Sequence, residues 1–304
     1  MTAAQTPSTP VEVAALAGRY GLAVDPDQVH LNEIGLDFRV AMARTRTGEK
    51  WVLRIPRRSG MEEQVAHEKS VLDLVRGHLA IEVPDWRIVE SDLIAYPQLA
   101  GRPAMTLSDA GEPIFAYDVA SPRYAVEFGH LIAALHAIGA DEAAAAGLPT
   151  PTMAEIRAER QSELARVTEA FTVAPALQER WETWLTDDRY WPPLAAFGHG
   201  ELYPGHVLID DQDSITGALD WTTGGFSDPV RDLAFQQMIA PPEIFQLTVD
   251  SYAEAGGTVW PRLADHATEL LSFGAVGHGL YALETGADDH RAAAQAGLDP
   301  APLN

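Results

Sequence analysis

The apolar positions along this chain change their spacing about a third of the way in. Residues 11–20 carry a short helical stripe, and residues 29–43 hold strand-forming side chains interrupted at Gly35. The turn Thr47-Gly48-Glu49-Lys50 follows, and then the strand Trp51-Val52-Leu53-Arg54-Ile55, which Pro56 stops. Met61, Val65, Leu72, Val75 and Leu79 recur in steps of three and four, predicting a helix over 61–79. Leu93-Ile94-Ala95-Tyr96 reads as a strand that leaves into the extended segment Pro97-Gln98-Leu99-Ala100-Gly101. Beyond it the period is helical: stripes cover Tyr124 to Ile138, Met153 to Phe171, Leu177 to Leu185 and Ile244 to Tyr252, and one or two helices span 263–283. A hydrophobic hairpin over 207–219, with the acidic turn Asp210-Asp211-Gln212-Asp213, interrupts them. The pattern is a mixed α/β first third followed by a mostly helical remainder.

Glu68 is out of place in the 61–79 stripe. A carboxylate facing a core is costly unless a cation pairs with it, and Arg54 is the cation on the otherwise apolar preceding strand. Such a pair resembles the strand-lysine and helix-glutamate ion pair that holds nucleotide phosphates in protein-kinase-like enzymes. Two surface charges on amphipathic elements are the plainer reading. The segment 32–37 would be the turn over the phosphates, but its one glycine matches no glycine-rich fingerprint. Tyr96 and Gln98 lie where a hinge backbone could meet a purine edge; a plain interdomain linker fits that sequence equally well.

Composition narrows the function classes. At 304 residues and 46% hydrophobic content the chain can bury a large core and divide into two lobes. Its net charge of −23 repels nucleic acid and anionic membrane surfaces and attracts cations, although acidity of this size also serves solubility. Cysteine is absent, excluding disulfides and thiol chemistry. The first residues lack the charged and apolar regions of a signal peptide, so the sequence predicts a soluble, cytoplasmic protein with no membrane, nucleic-acid or obligate protein partner.

The chemistry concentrates between residues 199 and 234. His199-Gly200-Glu201-Leu202 puts a carboxylate on a turn that Pro204 and Gly205 keep out of helix. Glu201 is placed to accept the proton of an alcohol as a bond to phosphorus forms. The hairpin brings His206 and Asp220 to one end, where both could ligate magnesium bridging nucleotide phosphates; a structural histidine is the alternative for His206. Asp228 and Asp232 flank Pro229-Val230-Arg231 at a helix start, where carboxylates cap free amides, and with His199 they form the supporting set.

Together, His199-Gly200-Glu201-Leu202, Leu219-Asp220-Trp221, Asp228-Pro229 and Asp232-Leu233-Ala234 resemble the aminoglycoside-phosphotransferase-like kinases. Tyr203-Pro204-Gly205-His206, Asp220-Trp221-Thr222 and the strand Trp51 to Pro56 with Arg57-Arg58 are similar to the macrolide 2′-phosphotransferase branch. The resemblance implies an α+β, two-lobed, protein-kinase-like fold. Residues 1–97 would form a small antiparallel-sheet lobe that binds nucleotide, and 98–304 a larger helical lobe carrying catalysis and macrolide binding. It implies transfer of the γ-phosphate of GTP or ATP, with Mg2+, to the 2′-hydroxyl of a macrolide amino sugar, which is antibiotic resistance. The amino sugar is cationic, in keeping with the net charge. One departure stands out: the family usually has aspartate where this chain has Glu201, a carboxylate roughly 1 Å further out. The competing readings are a kinase of another small alcohol or amino sugar, a zinc hydrolase using His199, Glu201 and His206, and a non-catalytic nucleotide-binding protein.

Overall fold

The computed structural model describes residues 6–33 and 37–300. In chain order its elements are α1 (Pro10–Arg19), β1 (His30–Asn32), β2 (Phe38–Arg44), β3 (Lys50–Pro56), α2 (Glu62–Val75), β4 (Ile88–Glu90), β5 (Leu93–Pro97) and β6 (Arg102–Pro103). There follow β7 (Met105–Leu107), β8 (Pro113–Phe115), α3 (Pro122–His136), α4 (Ala140–Ala145), α5 (Met153–Ala170), α6 (Pro175–Thr186) and β9 (Ala196–Gly198). The remainder is β10 (Val207–Ile209), β11 (Ile215–Ala218), β12 (Gly225–Ser227), α7 (Arg231–Ile239), α8 (Pro242–Glu254), α9 (Leu263–Thr285) and α10 (Asp288–Leu298). Two compact units emerge. One holds the described residues up to Pro103 together with Val207–Thr222; the other holds Ala104–His206 and the residues from Thr223 onward.

The first unit is built on an antiparallel sheet in the order β1-β2-β3-β5-β4. Its central strand β3 is buried on both faces. Leu53 and Ile55 face a core shared with Val13, Leu16 and Ala17 of α1, and the alternation of the strand sends Val52 and Arg54 to the opposite face. α1 starts on a capping box, Thr9 with Glu12, around Pro10 at its first position. The β10–β11 hairpin joins this unit through the backbone: β10 pairs with β6, the Glu82 amide donates to the Thr216 carbonyl (2.8 Å), and the Ala218 amide donates to the Glu82 carbonyl (3.0 Å).

The second unit is helical. α5, α6, α9 and α10 enclose Trp181, Trp184, Val167, Phe273 and Val276, with Trp184 and Trp191 stacked at 4.9 Å between centroids. A capping box, Thr152 with Glu155, starts α5, and Ser121 caps α3 ahead of Pro122. The residues expected to form one or two helices over 263–283 form a single one, stopped by Gly286 in the left-handed region (φ 64°). The helix expected over 61–79 ends at Val75, short of Leu79. The strand run 29–43 is split into β1 and β2; Ile34, Gly35 and Leu36 of the proposed phosphate turn lie outside the described residues. No helix among the described residues is long and apolar enough to cross a membrane.

Candidate functional site

In the first unit the misplaced charge of α2 has its partner. Arg54 Nη1 donates to Glu68 Oε1 at 2.6 Å, with Glu68 only 1% exposed. The guanidinium lies 4.3 Å from the Phe38 ring centroid and 5.5 Å from that of Trp86. Burial disfavours the charged form of Arg54, but Glu68 outweighs it and holds the guanidinium's affinity for its proton above the ordinary value. Burial likewise pushes the Tyr96 phenol up to about 12, with Glu68 and Asp220 acting in the same direction and Arg54 against them. Tyr96 is therefore a neutral wall of this cluster. The amide of Gln98 donates to the Lys50 carbonyl at 2.9 Å, extending the β3–β5 pairing, so that hydrogen is committed within the sheet and unavailable to a purine.

Asp220 follows β11 with its backbone in the left-handed region (φ 58°) and its side chain exposed. Trp221 is fully buried, its indole N–H donating to the Ala218 carbonyl at 3.1 Å, and so Asp220 and Thr222 are displayed away from that core. The Thr222 hydroxyl donates to Asp220 Oδ1 at 2.7 Å and also lies 3.3 Å from Glu68 Oε2.

In the second unit the structure brings Asp232 onto the turn that carries His199 and Glu201, and Asp228 stands just ahead of α7. Asp232 does not cap its own helix α7. Its carboxylate instead accepts from the backbone amides of His199 (2.9 Å, Oδ2) and Gly200 (2.6 Å, Oδ1), bracing the turn that presents Glu201. Two glycines make this possible: a Cβ on Gly198 would collide with Asp232 Oδ2, and Gly200 adopts φ 82° with Thr223 O only 2.5 Å from where a Cβ would sit. Burial alone would raise the Asp232 carboxyl, yet His136, His199 and the Gly200 amide overcome it and hold it below the ordinary carboxylate value. His136 Nε2 stands 3.4 Å from Asp232 Oδ2, within ion-pair range but without hydrogen-bond geometry, while its Nδ1 meets the Tyr252 hydroxyl at 2.8 Å. The Thr223 hydroxyl donates to the His199 carbonyl at 3.0 Å.

Glu201 is exposed and its carboxylate has no hydrogen-bond partner among the described residues. Half-buried Arg231 packs its guanidinium carbon 3.3 Å from where a Gly200 Cβ would lie. Burial and Arg160 disfavour its charge, and Asp232, Asp228 and Glu201 favour it. Asp228 does part of its expected work, accepting from the Val230 amide at 3.1 Å near the start of α7. Its other oxygen takes His266 Nε2 at 2.7 Å. Trp184 Nε1, a donor only, meets His266 Nδ1 at 2.8 Å, so His266 carries its hydrogen on Nε2 and donates it to Asp228. Thr223, His136 and His266 belong to no sequence motif and to no set of apolar positions, and Thr222 and Tyr252 enter only within the Asp220-Trp221-Thr222 motif and the 244–252 stripe. A histidine on the last turn of the α3 stripe, four residues after Ile132, was the one available sign of the buried network.

The metal reading depends on which donors are present. Among the described residues no cluster of three or more His, Asp or Glu side chains is arranged to hold a metal, which leaves the zinc-hydrolase reading of His199, Glu201 and His206 without a ligand set. Magnesium needs less, one or two carboxylates with phosphates and water completing its shell, and the exposed oxygen donor of Asp220 fits it. His206 Nδ1 lies 3.0 Å from the Glu201 carbonyl, an acceptor, so the ring hydrogen is there and the lone pair is on Nε2.

Residues 28–266 match the phosphotransferase enzyme family. Macrolide 2′-phosphotransferase MphH from Brachybacterium faecium superposes with a TM-score of 0.93 at 47% identity, covering 98% of this chain and 100% of that one. A macrolide 2′-phosphotransferase type I superposes at 0.89 with 37% identity, covering 98% and 100%. The uncharacterized protein YcbJ of Bacillus subtilis (strain 168) is 34% identical over 282 residues, 92% of each chain. The GDP complex of aminoglycoside 2′-phosphotransferase-IIIa, at 18% identity, shares the fold with a TM-score of 0.71 over 95% and 96%. The expected kinase-like α+β fold, an N-terminal antiparallel sheet with a helical C-terminal part, is the fold this chain adopts. With that fold, and a match running from just before β1 to His266 at the start of α9, the chain belongs to the phosphotransferase enzyme family.

Proposed function

We propose that this protein is an antibiotic-resistance kinase that transfers the γ-phosphoryl group of GTP or ATP to the 2′-hydroxyl of the amino sugar of a macrolide. The observation that carries the reading is the likeness, over 98% of the chain, to two macrolide 2′-phosphotransferases at 47% and 37% identity. In the first unit, Arg54, fixed by Glu68, is the group that meets the nucleotide phosphates, with Tyr96 and the segment around Gln98 beside the purine. In the second, Glu201 accepts the proton of the 2′-hydroxyl as that oxygen bonds to the γ-phosphorus and the bond from phosphorus to the β-phosphate oxygen breaks. The nucleoside diphosphate leaves with the electron pair, and Glu201 later returns its proton to solvent.

Bound magnesium supplies charge neutralisation on the phosphates. Asp220 is its carboxylate ligand in this reading, and His206 is a further ligand through Nε2. His199 and Asp232 fix the Glu201 turn, and Asp228 fixes the start of α7 behind it. The Glu201 side chain reaches further than the usual aspartate, and its exposed position accommodates the extra methylene. The test is incubation with magnesium, GTP or ATP and an erythromycin-like macrolide, read by mass for one added phosphoryl group. Phosphorylation of an aminoglycoside or another small alcohol, with the macrolide unchanged, would overturn the acceptor assignment and leave the kinase standing.

A further inference from the structure

We propose that Thr222 is a positioning residue that ties the Asp220 carboxylate to the Arg54–Glu68 ion pair, so that binding of magnesium and seating of the phosphate clamp are coupled. The inference rests on the kinase reading above and adds a residue and a linkage to it. Glu68 divides its two oxygens: Oε1 accepts from Arg54 at 2.6 Å, and Oε2 lies 3.3 Å from the Thr222 hydroxyl. The same hydroxyl reaches Asp220 Oδ1 at 2.7 Å. Glu68 is buried and Asp220 exposed, so Thr222 links a carboxylate held in the protein to one offered to solvent.

Two features make the link more than a loop contact. Asp220 holds a left-handed backbone that aspartate tolerates better than most residues but does not prefer, and burial of Trp221 fixes the direction in which residues 220 and 222 project. The hydroxyl also has a single hydrogen for two carboxylates. The shorter distance gives it to Asp220. There it orients the carboxylate that would hold the cation, while the hydroxyl's approach to Glu68 Oε2 ties that carboxylate to the group that steadies Arg54. Removing the hydroxyl should uncouple the two events while leaving each carboxylate in place.

The experiment follows binding of Mn2+, a paramagnetic substitute for Mg2+, by electron paramagnetic resonance in protein saturated with a non-hydrolysable GTP or ATP analogue. Metal-free affinity for the analogue is measured separately by calorimetry. Thr222→Val should raise the half-saturating metal concentration about tenfold or more, as loss of a hydrogen bond to a ligating carboxylate does. Metal-free nucleotide affinity should stay within about twofold, and Thr222→Ser should restore wild-type metal binding. If Thr222→Val is poorly folded by circular dichroism, Thr222→Ala carries the same readout. Wild-type metal affinity in a folded Thr222→Val or Thr222→Ala protein overturns the inference, as does a Thr222→Ser protein that remains as weak as Thr222→Val. A wild-type protein that binds no metal–nucleotide pair overturns the inference and the kinase reading together. Metal coupling lost in the variant, with macrolide left unphosphorylated by the wild type, sustains the inference and sinks only the macrolide assignment.

Discussion

Glu201 owes its place to the backbone turn just before it. Its own carboxylate faces solvent, while the amides just before it are pinned by Asp232. Glu201→Gln should lower kcat by ~100- to 10,000-fold with nucleotide affinity almost unchanged, because the proposed phosphate contacts are other residues; Glu201→Asp should keep substantial activity. Steady-state kinetics beside nucleotide titration checks both, and a Glu201→Gln protein as fast as wild type would mean the base lies elsewhere. Asp232→Asn keeps the shape but loses the charge that two amides and two histidines converge on, so it should cost about 1 to 3 kcal/mol and reduce kcat. The sign with pH follows from the lowered carboxyl of Asp232. Its stabilisation is fully present above the ordinary carboxylate value and is lost as pH falls through the lower folded one. Urea unfolding across the acid range should therefore show a limb in wild type that is shallower in Asp232→Asn. The sequence exposed the carboxylates at 201, 220, 228 and 232, but assigned Asp232 to its own helix. An i, i+4 pattern shows local caps, whereas the bond from Asp232 back to residues 199 and 200 spans more than thirty positions and leaves no periodic trace.

The β3–α2 pairing is the element-scale counterpart. One strand buried on both faces must put something polar or apolar against α2, and this chain uses a cation there, flanked by Phe38 and Trp86. Glu68 was legible because a carboxylate broke a helical stripe, and Arg54 because a cation broke an apolar strand. The aromatic flank was not, since Phe38 and Trp86 reach Arg54 from β2 and from the segment after α2. The two- and three-residue strands β6, β7, β8, β9 and β12 were equally invisible, because so few residues establish no period; α10, polar along much of its length, carried no stripe to find. Glu68→Ala should destabilise the fold by about 3 to 5 kcal/mol, the usual cost of stranding one partner of a buried pair, and should raise the nucleotide KM. Arg54→Lys keeps the charge but not the flat cation flanked by two rings, so it should cost part of what Glu68→Ala costs. Thermal unfolding with nucleotide kinetics on the two variants tests this; an Arg54→Lys protein equal to wild type in both would remove the aromatic flank from the account.

At the scale of the whole molecule the charge of −23 would act on the two proposed substrates with opposite signs. A macrolide amino sugar is cationic at neutral pH, and a nucleotide triphosphate is a polyanion, so the same field draws one in and holds the other off. Screening weakens both effects, since the Debye length falls from about 30 Å at 0.01 M salt to about 8 Å at 0.15 M. Raising the salt over that range at fixed free magnesium should therefore raise the KM for macrolide and lower the KM for the nucleotide. The macrolide response should vanish with an analogue whose sugar amine has been N-demethylated and then acylated to a neutral amide, because that removes the charge and keeps the apolar ring. The nucleotide response should persist with that same analogue. Steady-state kinetics at several salt concentrations with both acceptors measures the two slopes. If both KM values are flat, the acidic composition acts on solubility alone, and recognition of the cationic sugar rests on groups in direct contact with it.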